Sequence, residues 1–327
     1  MKASSSSEPA PRVFLLAGPT ACGKTAVARE LARRHGLELL SADSMLVYRG
    51  MDIGTAKPSP AERAGLVYYG LDLVSPAESC SAGIYLRAAE EALRSAAAHN
   101  RSLLVVGGTG LYFDLLLHGL DGADQGGVPP EIRARYQTLL ASGGLAALHA
   151  EAERRRPGVL ARLADPENPR RVQRVLERLD LGQDPVPHRD AETASGLLPR
   201  GPRPAPFPVL SIDPPLLARR IEERIEAMFD QGLLDEVRAL LSAYPKWSPT
   251  ATAAIGYAEA RAVLDGSLTL PAAKERIAAR TRQLAKRQRT WFRHRADALW
   301  LDGPLSSSDI PRVADAVEKA WRSESPL

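Results

Sequence analysis

The stretch Gly18-Pro19-Thr20-Ala21-Cys22-Gly23-Lys24-Thr25 decides how the rest of the chain is read. Two glycines five positions apart, followed by lysine and threonine, fit the spacing of a phosphate-binding loop. Gly18 and Gly23 admit backbone angles that a Cβ forbids, so successive amide N–H groups can turn inward around an anion. Lys24 adds a full positive charge, and the Thr25 hydroxyl suits Mg²⁺ held against phosphate oxygens. A helix starting here contributes the positive end of its dipole. The flanks agree: Arg12–Ala17 is an apolar run that reads as a buried strand, and Lys24–Arg34 reads as a helix. A phosphate or pyrophosphate site is expected here, against a plain glycine turn.

The chain has 327 residues, 44% of them hydrophobic and 25% charged, enough for one large domain or a core domain carrying a smaller one. The formal net charge is only +4, so the placement of charge matters more than its sum. Two cysteines, Cys22 and Cys80, make no disulfide framework, and a reducing cytoplasmic setting is expected. No run is long enough to span a membrane, so no membrane partner is expected. Residues 1–11, rich in serine and proline, read as a disordered tail.

Further along, Leu37–Ala42 reads as a second strand ending at Asp43, and Ser44–Pro58 as a functional loop without a clean period. A short strand is expected near Gly70–Leu73, a helix over Ala82–Ala98, and a third apolar strand over Ser102–Gly107. Strand and helix in alternation predict an α/β fold, a phosphate-loop NTPase-like parallel sheet flanked by helices. From Leu120 to Pro208 helical segments take over, near Pro130–Ser142, Leu145–Arg155 and Pro169–Leu181, with a Pro- and Gly-rich loop over Gln183–Pro208. The expected organisation is a core of residues 12–119 and 207–302, an all-helical insertion domain of residues 120–206, and a terminal tail or helix of residues 303–327 that adds little. Strand Pro208–Ile212 leads through Asp213, a good helix cap followed by two prolines, into a helix reaching Gln231. The last long helix covers Pro271–Arg295.

Four features bear on chemistry. The third strand ends in Gly107-Gly108-Thr109-Gly110, without the carboxylate that orders Mg²⁺ and water in nucleotide hydrolases. Glycines there suit close approach by a ligand, or simply a turn that needs them. Asp43 follows a strand expected to neighbour the first. Its carboxylate can take a proton from a nucleophile or help hold a cation, and a mere loop role is the alternative. Arg220 and Arg224 stand one helical turn apart, either as a clamp on a leaving phosphate or as surface partners of Glu223 and Glu226. Basic stripes occur at Arg170, Arg171, Arg174 and Arg178 and, more densely, at Lys274, Arg276, Arg280, Arg282, Lys286, Arg287, Arg289, Arg293 and Arg295. With Trp291, Phe292 and His294 the second stripe suits a nucleic-acid backbone and a stacked base.

Six stretches together resemble the tRNA dimethylallyltransferase (IPP transferase) family: GPTACGKT at 18–25, SADSMLVYRGMDIGTAKP at 41–58, GGTGLYF at 107–113, DPENPRRVQRVLE at 165–177, IGYAE at 255–259 and TRQLAKRQRTWFR at 281–293. The resemblance implies transfer of a dimethylallyl group from dimethylallyl diphosphate to the exocyclic amine of the adenosine beside the tRNA anticodon. It implies that Gly18, Pro19, Thr20, Ala21, Cys22, Gly23, Lys24 and Thr25 bind the diphosphate, with Mg²⁺ at Thr25. Asp43 matches the family's general base, Arg220 the arginine that stabilises the diphosphate, and Thr20 a residue that helps hold substrate. Asp43, Ser44, Met45, Leu46, Thr109 and Arg133 match tRNA-contacting positions, as do Arg170, Arg171, Val172, Gln173 and Arg174. Lys286, Arg287, Gln288, Arg289, Thr290, Trp291, Phe292 and Arg293 complete that set. Taking the target base out of its stack costs a few kcal/mol, least in a single-stranded loop.

Cys22, Tyr68, Tyr69, Cys80 and Ala253 depart from the family's usual residues, and none removes a catalytic group. No zinc-finger pattern is present. A monomer is expected. Two other readings compete: a phosphate-loop kinase acting on a small molecule with ATP, and a non-catalytic RNA-binding NTPase. The basic final helix argues against the first and the carboxylate-free third strand against the second.

Overall fold

The structure is a computed structural model in which residues 12–119, 128–163, 165–186, 196–198 and 207–322 are described. The expected tail of residues 1–11 and much of the Gln183–Pro208 loop lie outside the described residues. The chain divides into two compact units, one made of residues 1–117 and 197–327 and the other of His118–Gly196.

In the first unit the strands β1 (Val13–Ala17), β2 (Glu38–Ala42), β3 (Tyr68–Tyr69), β4 (Leu103–Gly107), β5 (Phe207–Ser211) and β6 (Ala298–Asp302) form one sheet. Their order is β3-β2-β4-β1-β5-β6, and every pairing is parallel. Strands β2 and β4 are buried along their whole length, as expected where helices cover both faces. The helices of this unit are α1 (Lys24–His35), α2 (Pro60–Arg63), α3 (Ala82–Ala98) and α4 (Gly110–His118, whose last residue falls in the second unit). The second unit holds α5 (Pro130–Arg155) and α6 (Pro169–Asp180). The first resumes with α7 (Pro214–Asp230), α8 (Leu233–Ala243), α9 (Pro249–Thr252), α10 (Tyr257–Leu264), α11 (Leu270–Arg293) and α12 (Ile310–Arg322).

Three expectations need correction. The short strand lies at Tyr68–Tyr69 rather than Gly70–Leu73. Gly70 instead turns at φ 74, where a Cβ would stand 2.7 Å from the Ser41 carbonyl. Strand β2 does not neighbour β1: β4 lies between them, with Ala42 and Ala17 both opposite Gly107. The end of the chain is not idle. Strand β6 extends the sheet, and α12 buries Val313, Ala314, Val317 and Ala320 against the core shared with α1. The Trp321 indole donates to the Leu15 carbonyl at 3.1 Å, and its ring lies 4.6 Å from that of Phe14.

In the second unit α5 runs through both expected helices, broken at Gly144, where φ is 64°. Helix α6 starts at Asn168, whose side chain accepts from the Arg170 amide at 3.1 Å. Tyr136, Leu148, Ala152, Val172, Val175 and Leu176 form the core of this unit.

Candidate active site

The Gly18–Gly23 loop, the expected phosphate loop, joins β1 to α1 and is strained where glycine is needed. At Gly23, φ is 92°, and a Cβ would meet the Pro304 ring at 2.6 Å. At Gly18 a Cβ would meet Cys22 Sγ and the Leu210 carbonyl, each at 2.7 Å. Ala21 adopts φ 63°, which opens the loop around its amides. Cys22 is fully buried and its thiol is pushed up by that burial, so it adds packing and backbone to the loop rather than a nucleophile. The Lys24 ammonium is buried and donates to the Pro19 carbonyl at 3.1 Å. The first turn of α1 has no acidic side chain and no side-chain cap. The amides of Ala26 and Val27 donate to the Gly23 carbonyl at 3.1 and 3.3 Å, and a helix start without an acidic side chain suits an anion.

Two arginines of α7 meet this loop. Arg220 donates to the carbonyls of Pro304 and Leu305 at 2.7 and 2.8 Å, while its Nη1 lies 3.9 Å from where a Gly23 Cβ would be. Arg224 donates to Thr20 Oγ1 at 3.3 Å and to the Thr55 carbonyl at 3.1 Å. The surface-pair alternative fails, because Glu223 pairs with Arg219 and Glu226 with Lys274. The segment after β6, expected to add little, is a wall of the site. Gly303 donates to the Ser211 carbonyl at 2.7 Å, and Pro304 closes over Gly23.

Asp43 is half-buried at the end of β2 and accepts from the Met45 amide at 2.9 Å. Thr109 Oγ1 accepts from the Ser44 amide at 3.0 Å, and the Thr109 amide donates to Ala42 at 3.1 Å, which stitches the ends of β2 and β4 together. The glycines around Thr109 lie close against other parts of the chain. A Cβ on Gly107 would stand 2.1 Å from the Ala42 carbonyl, one on Gly108 2.4 Å from Gln288, and one on Gly110 2.2 Å from the Trp291 ring. Behind Asp43 the rings of Tyr85 and Tyr112 stack at 3.6 Å. Burial pushes both phenols up, helped at Tyr85 chiefly by the charge of Asp43 and at Tyr112 chiefly by Cys80, so they stay neutral.

The loop after Asp43 is ordered by polar contacts that sequence reasoning missed. Buried Lys57 donates to the Tyr48 carbonyl at 2.7 Å and to Asp52 and Asp72 at 2.6 Å each. Glu236 accepts from the amides of Asp52 and Ile53 at 3.1 and 2.8 Å and from the Tyr257 hydroxyl. Only the IGYAE stretch signalled this, through Tyr257 and through Glu259, which caps α10 by accepting the Gly256 amide at 2.9 Å.

Helix α11 divides its charges. Lys274, Arg280 and Arg282 pair with Glu226, Glu259 and Glu222 from other helices, so this half of the stripe is structural. Lys286, Arg287, Thr290 and Arg293 are exposed. A groove of about 350 Å³ runs beside Arg282, Lys286, Arg289 and Arg293 against the start of α7. Gln288 points the other way, its Oε1 accepting the Thr20 amide at 2.8 Å. Phe292 is fully buried among Phe113 and Phe207 and is out of reach of a base. Trp291 is half-buried over Gly110. In the second unit Arg133, Arg170 and Arg171 are exposed, whereas Val172 is core and Gln173 and Arg174 bond Glu177 at 3.0 and 3.1 Å.

Among the described residues no cluster of three or more His, Cys, Asp or Glu side chains forms a metal cage. Mg²⁺ needs none, since it binds through one or two protein oxygens together with substrate phosphates and water. The half-buried Thr25 hydroxyl in the first turn of α1 fits that mode.

A family model described as IPP transferase matches residues 46–295, and one described as isopentenyl transferase matches residues 11–72. The tRNA dimethylallyltransferase of Bordetella petrii is 41% identical over 93% of this chain and 98% of its own, and that of Thiobacillus denitrificans is 43% identical over 89% and 91%. The solved structure of the full-length tRNA isopentenylpyrophosphate transferase from Bacillus halodurans matches with a TM-score of 0.66 at 31% identity, covering 95% of this chain and 97% of that one. A eukaryotic dimethylallyltransferase, solved acting on tRNA, matches with a TM-score of 0.77 at 25% identity, over 97% and 81%. Motif, sheet order and near end-to-end similarity agree, and the chain belongs to the IPP transferase family.

Proposed function

We propose that the protein is a tRNA dimethylallyltransferase that alkylates the exocyclic amine of the adenosine on the 3′ side of the anticodon. The observation that carries this reading is a phosphate loop with two arginines beside it and no carboxylate at the end of the adjacent strand. That arrangement stabilises a departing diphosphate and lacks the usual means of activating water on phosphorus. In the proposed reaction the adenine amine forms a bond to the allylic carbon while that carbon's bond to the diphosphate oxygen breaks. Asp43 takes the amine proton. The loop amides, Lys24 and Arg220 receive the negative charge that builds on the leaving group. Thr25 would hold Mg²⁺ against the diphosphate, where the ion supplies further neutralisation of charge. The stacked Tyr85 and Tyr112 offer an apolar wall next to the base.

The exposed cations of α11 and those at Arg133, Arg170 and Arg171 are read as contacts to the anticodon stem-loop. The enzyme is read as a monomer working in the cytoplasm. No described helix is long and apolar enough to cross a membrane.

Incubating the protein with unmodified tRNA, Mg²⁺ and dimethylallyl diphosphate, then digesting and weighing the nucleosides, tests the reading. A dimethylallyl-bearing adenosine is expected without ATP. ATP consumption with unchanged RNA mass would return the protein to the nucleotide hydrolases. Replacing Lys286 and Arg293 with alanine is expected to weaken tRNA binding about tenfold or more at moderate salt, and to lower the slope of log affinity against log salt by roughly 1.4, about 0.7 per lost phosphate contact to a single strand. Filter binding across a salt series measures both, and transfer at saturating tRNA should change little.

A further inference from the structure

Arg282, Lys286, Arg289 and Arg293 stand at i, i+4, i+7 and i+11 of α11, so they share one face over a rise of roughly 16 Å. They border the groove of about 350 Å³ that runs against the start of α7, and no acidic side chain lines it. Arg282 reaches Glu222 at 3.7 Å, outside that lining. Lys286, Arg289 and Arg293 make no ion pair among the described residues. Arg289 is the informative one. It is half-buried, and its Nε is withdrawn from water with no hydrogen-bond partner among the described residues. A guanidinium nitrogen left so is costly, and an anion in the groove removes the cost. A cation on a plainly solvated face would keep that donor in water.

The apolar side of the groove decides what kind of anion fits. Pro214, Leu217 and Ala218 come from α7 and Ala285 from α11; Leu217 and Ala285 are buried and Ala218 is half-buried. All four are aliphatic. No aromatic ring among the lining residues can stack a nucleobase, and Thr290 alone offers a neutral polar side chain to read a base edge. A sugar–phosphate backbone needs cations and has no use for a concave aliphatic floor. An aliphatic floor with a cationic rim, at a volume ordinary for small-molecule sites, is complementary to an isoprenoid chain that carries a diphosphate. None of Gly18–Thr25 lines the groove, nor does Gln288, which faces Thr20. The groove is therefore separate from the loop.

We propose that the groove between α7 and α11 is a second binding site, for a prenyl diphosphate, with the chain on Leu217, Ala218 and Ala285 and the diphosphate on Lys286, Arg289 and Arg293. Lys286 and Arg293 are also read above as tRNA contacts. An occupied groove withdraws them from the RNA, so its ligand inhibits by competing with tRNA rather than with the prenyl donor. The competition rests on the transferase reading given above; the binding does not.

Titration calorimetry of the full chain with geranyl diphosphate and Mg²⁺ counts the sites. The wild type is expected to bind two molecules, one at the loop and one in the groove. Ala218→Phe, which fills the floor, is expected to bind one, with dimethylallyl transfer within about twofold of wild type when no geranyl diphosphate is present. At saturating dimethylallyl diphosphate, geranyl diphosphate should raise KM for tRNA in the wild type and leave it unchanged in Ala218→Phe. Arg289→Gln, read by calorimetry alone, should weaken the second site about tenfold or more, and it replaces Ala218→Phe should that variant fail to fold. A single site in the wild type would overturn the proposal and leave the groove to RNA, and two undiminished sites in both variants would overturn it as well. So would a second site that takes inorganic pyrophosphate or ADP as tightly as geranyl diphosphate, the first marking an adventitious ion only and the second a nucleotide site. A filled second site with KM for tRNA unmoved would overturn the competition. A wild type that binds two molecules yet makes no modified adenosine would overturn the transferase reading and leave the site standing.

Discussion

Replacing Asp43 with asparagine is expected to lower single-turnover transfer by about 10³-fold, within the range of about 10²–10⁴ that a positioned general base contributes. The exocyclic amine of adenine is a weak nucleophile and must shed a proton as it is alkylated. Asp43 is the carboxylate that the end of β2 presents beside the loop, half-buried rather than solvated. The substitution is chosen because Asn Oδ1 can still accept the Met45 amide, which Asp43 now does at 2.9 Å. The Asx turn, the Thr109 stitch to Ser44 and the Tyr85–Tyr112 stack should therefore survive. The expected signature is a lost rate with pyrophosphate affinity within a few-fold of wild type and an unchanged melting temperature. A rate within tenfold of wild type would leave Asp43 as a turn residue and move the base elsewhere.

The strand, loop and helix around Gly18–Thr25 were legible because their conformation is local. Gly18 and Gly23 take backbone angles, and Lys24 and Thr25 a helix start, that neighbouring residues determine. The same holds for the apolar strands β1, β2 and β4 and for the Asp213 start of α7, which differ from expectation by a residue or so. Contacts made at long range were not legible. Strand β6, Ala298–Asp302, lies at the sheet edge with Leu299 and Trp300 partly exposed, so its five residues carry no clean buried run. Pro304 reaches Gly23 and Arg220 only because β6 delivers it there. The glycines at 107–110 were expected to suit close approach by a ligand or a turn that needs them, and the close approach the fold shows is by protein. The Ala42 carbonyl, Gln288 and Trp291 come closest to them.

Charge was the least legible feature. The cations of α11 are evident in the sequence, yet whether each is free or spent depends on acids brought by other helices. Glu222 and Glu226 sit on α7 and Glu259 on α10, and together they take three of the cations. Arg220 and Arg224 show the converse. Helical spacing offered Glu223 and Glu226 as partners, and the fold assigns both to other cations, leaving the two arginines to the loop.

Arg220→Ala should therefore cost more than a surface arginine would, about 10²–10³-fold in turnover, the scale seen when one preorganised donor to a developing oxyanion is removed. Two of the guanidinium's donors are already committed to the Pro304 and Leu305 carbonyls, which holds the group still, while Nη1 faces the loop at Gly23. Donors fixed in this way need no reorganisation as charge builds on the diphosphate. The loss should fall on turnover at saturating dimethylallyl diphosphate more than on KM, because the bridging oxygen carries its full charge only as the carbon departs. Folding should suffer modestly: water can replace the lost donor at exposed Leu305, while the carbonyl of buried Pro304 loses a bond worth about 1 kcal/mol. Arg220→Lys is the sharper variant. A single ammonium cannot span both carbonyls and still face Gly23, so it should keep the charge and lose most of the rate. If lysine restores turnover to within about threefold, net charge alone matters at this position. If alanine itself turns over near the wild-type rate under saturation, Arg220 does not act on the leaving group and the bonds to Pro304 and Leu305 are its whole function.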